Sequence, residues 1–200
     1  NGLEITNKQS LETPFGKPSA EYLHGNINNK EVIFLARHGN PHIIPPHKIN
    51  YRANMWGLKE LGVTEVIAVA AVGGITDEMA PAHLALPDQI IDYSYGREHT
   101  FFADNLEQVT HIDFTFPYNQ HMRATLMQLA KELELSISPT ATYACTQGPR
   151  LESAAEINRL EKDGCDLVGM TGMPEAALAK ELEINYASIS VVANWAAGKT

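Results

Sequence analysis

From residue 32 onward, short apolar runs of strand length take turns with stretches whose apolar residues recur every three or four positions. The runs at 32–36, 66–72, 86–93, 140–146, 166–170 and 186–193 read as strands. Between them, Tyr51, Met55 and Leu58 share one helical stripe, with Asn50 before it as a cap and Gly62 after it as a stop. Met122, Leu126, Leu129 and Leu133 mark a second helix, and their spacing assigns all four to the core. A third helix spans 153–163 and ends at Gly164. A fourth begins with Pro174 at its first helical position and continues through Leu178 and Leu182. Residues 1–29 differ from the rest: they are polar, carry turn signals at Thr13-Pro14-Phe15-Gly16 and His24-Gly25-Asn26, and show no helical pattern. Strand and helix alternation predicts an α/β fold, with a mixed or mostly parallel central sheet flanked by helices.

Composition narrows this little. Two hundred residues, 44% of them hydrophobic and 20% charged, suit one globular domain spanning 1–200. No apolar run approaches the ~20 residues of a membrane span, and no signal peptide opens the sequence, so neither a membrane nor export is expected. Cys145 and Cys165 lack metal-ligand spacing and form no disulfide framework, which suits a reducing cytoplasm. A net charge of −9 argues against nucleic acid as a partner. It also means that an anionic ligand must be held by local donors against an unfavourable overall field.

The strand at 32–36 supplies such donors, because it runs into Arg37-His38-Gly39. In open α/β sheets, ligands bind where strands end. Arginine presents a planar fork suited to phosphate or carboxylate. The loop that follows carries His42, Pro45, Pro46 and His47. A surface turn would account for the Arg-His pair as well as an anion site does; the further histidines and the stiff loop bring the two readings level. Gly198-Lys199-Thr200 is like the end of a P-loop, but Ala193 stands where that motif needs glycine and the triplet follows the last strand, so it is rejected.

Two families resemble this pattern. A strand ending in R-H-G is how histidine phosphatases begin, with His38 as the nucleophile, but no second His-Gly pair follows. The longer pattern, R-H-G-x-x-H, then P-x-x-x-N-Y-x-A-N and L-K-x-L-G, is similar to the methylthioadenosine and purine nucleoside phosphorylases. T-P-F-G-x-P-S at 13–19, D-Q-x-I-D with R-x-x-T-F around 88–101, and D-L-V-G-M-T-G-M-P-E-A-A-L-A-K-E at 166–181 extend it over nearly all of 13–198. The 166–181 block is the most specific of these.

The phosphorylase resemblance implies a nucleoside phosphorylase-like fold and cleavage of an N-glycosidic bond by inorganic phosphate, with no metal or organic cofactor. It implies that Arg37, His38 and Thr171 hold phosphate, with Ala70 and Ala71 standing where the family has Thr-Ala; the hydroxyl is lost there and the Ala71 backbone N–H is kept. Met170 would pack on the ribose. Leu151 replaces the aromatic residue that stacks on the purine, and Glu152 replaces a small hydroxyl residue beside the base, which points to a changed base preference. Asn194, Trp195 and Ala196 occupy the place of the T-D-Y-D segment that meets adenine, so the methylthioinosine branch is the nearest. His111 corresponds to a residue reaching a neighbouring subunit's sugar pocket, which implies a homotrimer, although in isolation it reads as an ordinary loop histidine. The family's first strand, with its GG-(S/T)-G loop, and its C-terminal helix have no counterpart in this sequence. The alternatives are a methylthioadenosine or general purine nucleoside phosphorylase, a histidine phosphatase, or a nucleoside-binding relative without turnover.

Overall fold

The computed structural model describes residues 4–104 and 106–200. Asn1, Gly2 and Leu3, which open the turn-rich stretch, lie outside them. That stretch is not merely turns. Strands β1 (Glu4–Gln9), β2 (Tyr22–Ile27) and β3 (Lys30–Phe34) form a separate antiparallel sheet in the order β1-β2-β3. Asn28 and Asn29 close the β2–β3 hairpin with φ of 50° and 63°, the left-handed pair that a two-residue turn needs and that asparagine tolerates. The expected buried strand at 32–36 is corrected accordingly. Its ladder ends at Phe34, whose side chain is half exposed, and residues 35 and 36 lead into the Arg37 loop.

The small sheet is locked to the next element by one tyrosine. Tyr22 is fully buried, and its hydroxyl donates to the carbonyls of Ala53 (3.2 Å) and Asn54 (3.0 Å) in helix α1 (Tyr51–Glu60). Gly57 permits that approach, since a methyl group there would lie 2.1 Å from the Tyr22 oxygen. Asn50 caps α1 by accepting from the Ala53 N–H, while its amide donates to the Phe15 carbonyl at 2.7 Å. One turn further on, Asn54 accepts from the Ser19 N–H at 2.8 Å and donates to the Ser19 hydroxyl at 2.9 Å. Both asparagines of the N-Y-x-A-N pattern thus hold the 13–19 segment against α1.

The main sheet contains β4 (Glu65–Gly74), β5 (Leu84–Ala85), β6 (Gln89–Asp92), β7 (Ile137–Ser138), β8 (Thr142–Cys145), β9 (Leu167–Gly169) and β10 (Asn185–Trp195), in the order β6-β8-β9-β4-β10-β5-β7. Pairs β4–β10, β6–β8, β8–β9 and β5–β7 are parallel; β4–β9 and β5–β10 are antiparallel. The fold is therefore α/β with a mixed central sheet, as expected. The anticipated strand at 86–93 shortens to β6, and the two-residue strands β5 and β7 were not anticipated.

Helices α2 (Gln120–Glu132), α3 (Ala154–Lys162) and α4 (Gly172–Glu181) complete it. Helix α3 carries a reciprocal capping box between Ser153 and Glu156. Met173 leaves helical geometry (φ −118°, ψ 141°), so regular helix begins at Pro174, where the sequence placed it. Helix α2 needs a correction. Met122 and Ala130 are buried, but Leu129 and Leu133 are 46% and 67% exposed. Helical spacing shows which residues share a face, not that a neighbour covers it.

The largest core cluster joins both sheets with helices α1 and α4, from Tyr22 and Met55 through Tyr143 and Leu167 to Leu178, Tyr186 and Val192, while α3 packs in a second cluster through Ile157 and Leu160. Among the described residues, β4 pairs with β10 along its whole length but with β9 only at Gly73 and Gly74. The uncovered edge at 65–72 borders a groove of about 910 Å³, whose other wall is the 30–39 segment leading to the candidate site.

Candidate active site

Arg37 is fixed by a buried carboxylate. Its Nε and Nη2 donate to Glu175 at 2.6 and 2.8 Å, and Nη1 reaches the Val69 carbonyl at 3.4 Å, beside Ala70. Tyr186 on β10 donates to the same Glu175 at 2.8 Å. Burial alone would lower the Arg37 pKa; the charge and hydrogen bonds of Glu175 outweigh it and hold the guanidinium above its ordinary value.

His38 sits beside this pair, half-buried and stacked on His42 with centroids 4.3 Å apart. Its Nδ1 lies 2.8 Å from the Ile44 carbonyl oxygen. A carbonyl only accepts, so Nδ1 carries the proton and Nε2 is the free ring atom. Burial pushes the His38 pKa down, the Ile44 bond opposes this, and His42 and Arg37 push it down further; the net direction is below its ordinary value. Near neutral pH the imidazole is uncharged, and Nε2 is an acceptor.

Further segments leave the ends of β8, β9 and β10. The cis-proline loop at 147–150, after β8, touches the end of β9 and the Arg37 loop: a methyl group on Gly148 (φ +60°) would lie 2.5 Å from the Met170 sulfur and 3.4 Å from Pro46. Met170 is thus half-buried where the first two loops converge. Thr171, the next residue, is buried at the start of α4, with its hydroxyl not spent on capping. Arg37 reaches α4 through Glu175, four residues after Thr171, which links the anion corner to this convergence. On β10, Asn194 and Trp195 stand in register with Gly73 and Gly74, and the Ala196 N–H donates to the Gly74 carbonyl at 2.8 Å. Asn194 is exposed and its amide donates to the Trp195 carbonyl at 2.6 Å; Ala196 is buried. Ala70 and Ala71 lie in β4 opposite Ser190 and Val191, Ala71 exposed and Ala70 half-buried.

Other expected residues stand apart. Leu151 is 73% exposed at the rim. Glu152 accepts from the Thr146 hydroxyl at 2.5 Å, so one carboxylate oxygen is occupied at the end of β8. His111 is exposed on the irregular stretch between β6 and α2.

The pattern of residues did not single out Glu175, Tyr186 or Arg97. Arg97 is 9% exposed; its Nη2 donates to the carbonyls of Thr146 (3.1 Å) and Gln147 (2.9 Å), and its Nη1 to that of Met170 (2.9 Å). It ties together the strand ends that carry the loops. A signal for Glu175 existed: an acidic residue in the otherwise apolar G-M-P-E-A-A-L-A segment calls for a buried cation.

The phosphorylase superfamily model matches residues 3–200. A relative named probable S-methyl-5'-thioinosine phosphorylase, from Pseudomonas syringae pv. tomato, is 54% identical over 199 residues, covering 100% of this chain and 81% of the relative. The 6-oxopurine nucleoside phosphorylase of Pyrococcus furiosus is 47% identical over 201 residues, covering 98% of this chain and 75% of that one. Among solved structures, methylthioadenosine phosphorylase from Schistosoma mansoni in complex with adenine superposes with a TM-score of 0.93 at 31% identity, covering 96% of this chain and 73% of that one.

Proposed function

The chain belongs to the phosphorylase superfamily, and from that premise we propose that it is a pentosyltransferase cleaving the N-glycosidic bond of a purine nucleoside with inorganic phosphate. The preferred substrate is 5'-methylthioinosine, giving hypoxanthine and 5-methylthioribose 1-phosphate in purine salvage. The observation that carries the reaction is the half-buried Arg37 beside His38, with the buried Thr171 four residues before the Glu175 that holds Arg37. Names of relatives that include thioinosine and 6-oxopurine phosphorylases support the base. The family is one of phosphorylases rather than histidine phosphatases, and no separate observation favours a phosphohistidine on His38.

The chemistry follows from where charge develops. As the bond between the sugar C1' and the purine nitrogen breaks, the ribose gathers positive charge and the purine takes the electron pair. A phosphate oxygen then bonds to C1'. Arg37 and the Thr171 hydroxyl donate to phosphate, while His38 Nε2 accepts from the phosphate's own hydroxyl. Bound below the sugar, phosphate serves as both nucleophile and counter-charge to the cation. Ala70 and Ala71 leave only backbone to add to this hold. Met170 covers the ribose without competing for hydrogen bonds. Asn194 donates to the purine as negative charge builds on it, and Trp195, Ala196 and Leu151 supply walls around the base, with Glu152 at their edge. Inorganic phosphate is a co-substrate, and this scheme calls for no metal or organic cofactor.

Substituting Arg37→Ala tests the phosphate assignment. Charge-assisted hydrogen bonds are worth ~1.5–3 kcal/mol each, so the phosphate KM should rise about tenfold to hundredfold, well beyond any change in nucleoside KM. Initial rates across a phosphate series measure it. An unchanged phosphate dependence removes Arg37 from the site, and base release that needs no phosphate removes the reaction.

We also propose a cytoplasmic homotrimer, in which His111 lines a neighbouring subunit's sugar pocket. Cys145 and Cys165 are free thiols, and among the described residues no helix is long and apolar enough to cross a membrane. The irregular stretch around His111 leaves Leu106, Val109 and Phe116 exposed, a group of apolar side chains suited to burial against a second copy. Activity should therefore fall as dilution dissociates the assembly. Sedimentation across a dilution series, with activity followed in parallel, checks this, and a fully active monomer returns His111 to an ordinary loop histidine.

A further inference from the structure

Arg37 is placed in a way that charge attraction alone does not explain. An anion corner that needed only a cation would leave it unneutralised, yet here a buried carboxylate lies directly against the guanidinium. Glu175 is 5% exposed and set among Ala176, Leu178 and Ala179, so removing its partner would leave an uncompensated buried charge. The pair contributes no net charge, but it fixes direction. Glu175 meets the fork side-on, taking Nε and Nη2, and the Val69 carbonyl takes a third donor from Nη1. A guanidinium has five donors, so one hydrogen remains on each terminal nitrogen, and the one left on Nη2 points out of the end of the fork. That end of the fork suits a phosphate oxygen. Glu175 is itself held: Tyr186 donates to the oxygen that also accepts from Nη2. Arg37 comes from the segment after β3, Glu175 from α4 and Tyr186 from β10. The aim of the fork is therefore set by the packing of α4 on the main sheet rather than by the Arg37 loop.

We propose that Glu175, steadied by Tyr186, is a positioning residue that aims the free end of the Arg37 fork at the phosphate oxygens. The proposal rests on the phosphorolysis reading above. It is distinct from a counter-charge role, because the two predict opposite changes. If Glu175 only neutralises Arg37, removing its charge strengthens anion binding; if it aims Arg37, removing or shortening it weakens binding.

Three variants of the full chain separate these outcomes. Glu175→Asp keeps the charge but draws the carboxylate back by one methylene. Glu175→Gln keeps the length but presents a donor to the guanidinium. Tyr186→Phe deletes a single oxygen and leaves Glu175 and Arg37 in place. Phosphate KM, nucleoside KM and the phosphate-induced shift in melting temperature are measured for each. The expected result is a rise of about tenfold or more in phosphate KM for both Glu175 variants and a smaller rise for Tyr186→Phe, with nucleoside KM changed far less and the melting shift reduced in the same order. In the double variant Glu175→Asp with Tyr186→Phe, the second change should add little, since Tyr186 acts through Glu175. If the Glu175 variants do not fold, Tyr186→Phe alone decides by the same readouts. A phosphate KM that is unchanged or lower, or one that rises only in step with nucleoside KM, overturns the positioning role. A wild type with neither phosphate-dependent turnover nor a phosphate-induced melting shift overturns the phosphorolysis reading along with it.

Discussion

Wild-type protein is expected to cleave 5'-methylthioinosine far faster than 5'-methylthioadenosine, and Asn194→Asp to narrow or reverse that preference. A 6-oxopurine offers acceptors at both O6 and N7, whereas adenine offers an amino donor at C6 and an acceptor at N7. An ionised aspartate repels the first pattern and suits the second only through the amino group. The Asn194 amide has two N–H donors and one acceptor; one donor is spent on the Trp195 carbonyl, and a donor and the oxygen remain for the base. Sites built for one hydrogen-bond pattern discriminate by up to ~10⁴-fold, because a mismatched ligand leaves polar groups unpaired. The substitution also loses the bond to Trp195, so its unfolding midpoint is measured alongside to separate altered preference from a disturbed strand end. Parallel kinetics on both nucleosides with wild type and variant decide the matter. A wild type preferring the adenosine substrate refutes the role of Asn194 and leaves phosphate-dependent cleavage standing.

The longer strands of the main sheet were legible because they are apolar runs bounded by breakers, and tertiary packing agrees with that local pattern; the two-residue β5 and β7 carry no such run. The small sheet was not. In β1 every residue but Gln9 is exposed, so no apolar alternation marks it, and its strands are held by backbone pairing and by Tyr22. The Asn28-Asn29 pair was the one available signal for its hairpin. Sequence spacing likewise identified α2 but overfilled its core face, because nothing in the pattern of Leu129 and Leu133 says what covers them. The site divides the same way. Arg37 and His38 stood out because their residue types are chemically specific at a strand end, whereas Met170 and Thr171 were marked only by the resemblance of the 166–181 block. Glu175 and Arg97 act by reaching partners distant in sequence, 138 residues away in the case of Arg37 and Glu175; an acidic residue in an apolar segment signals that a cation is needed, but not which one.

Replacing Arg97 should damage the fold more than any substitution considered above. Its guanidinium accepts no substitute geometrically: it donates to the carbonyls of Thr146, Gln147, Met170 and Met173, to the Tyr51 hydroxyl at 3.3 Å, and to the Gln147 side chain at 3.1 Å. These acceptors lie at the ends of β8 and β9 and at the start of α1 and α4, where the loops carrying Gly148, Met170 and Thr171 depart. Alanine would leave the buried Met173 carbonyl and three part-buried carbonyls without this donor, at up to ~1–3 kcal/mol for each unsatisfied group. Water entering the gap recovers part of that, so a net loss of about 4 kcal/mol is expected for Arg97→Ala. This is a large share of the ~5–15 kcal/mol that holds a domain of ordinary stability together. Arg97→Lys keeps the charge, but its compact ammonium cannot span both strand ends. It should fold with a smaller loss of stability and a raised nucleoside KM, as the Met170 and Gly148 loops drift apart. Urea denaturation of both variants, with nucleoside KM measured on the lysine form, tests this. A midpoint for Arg97→Ala close to that of wild type would mean that water satisfies these carbonyls as well as the arginine does, and that the strand ends are held by β8–β9 pairing instead.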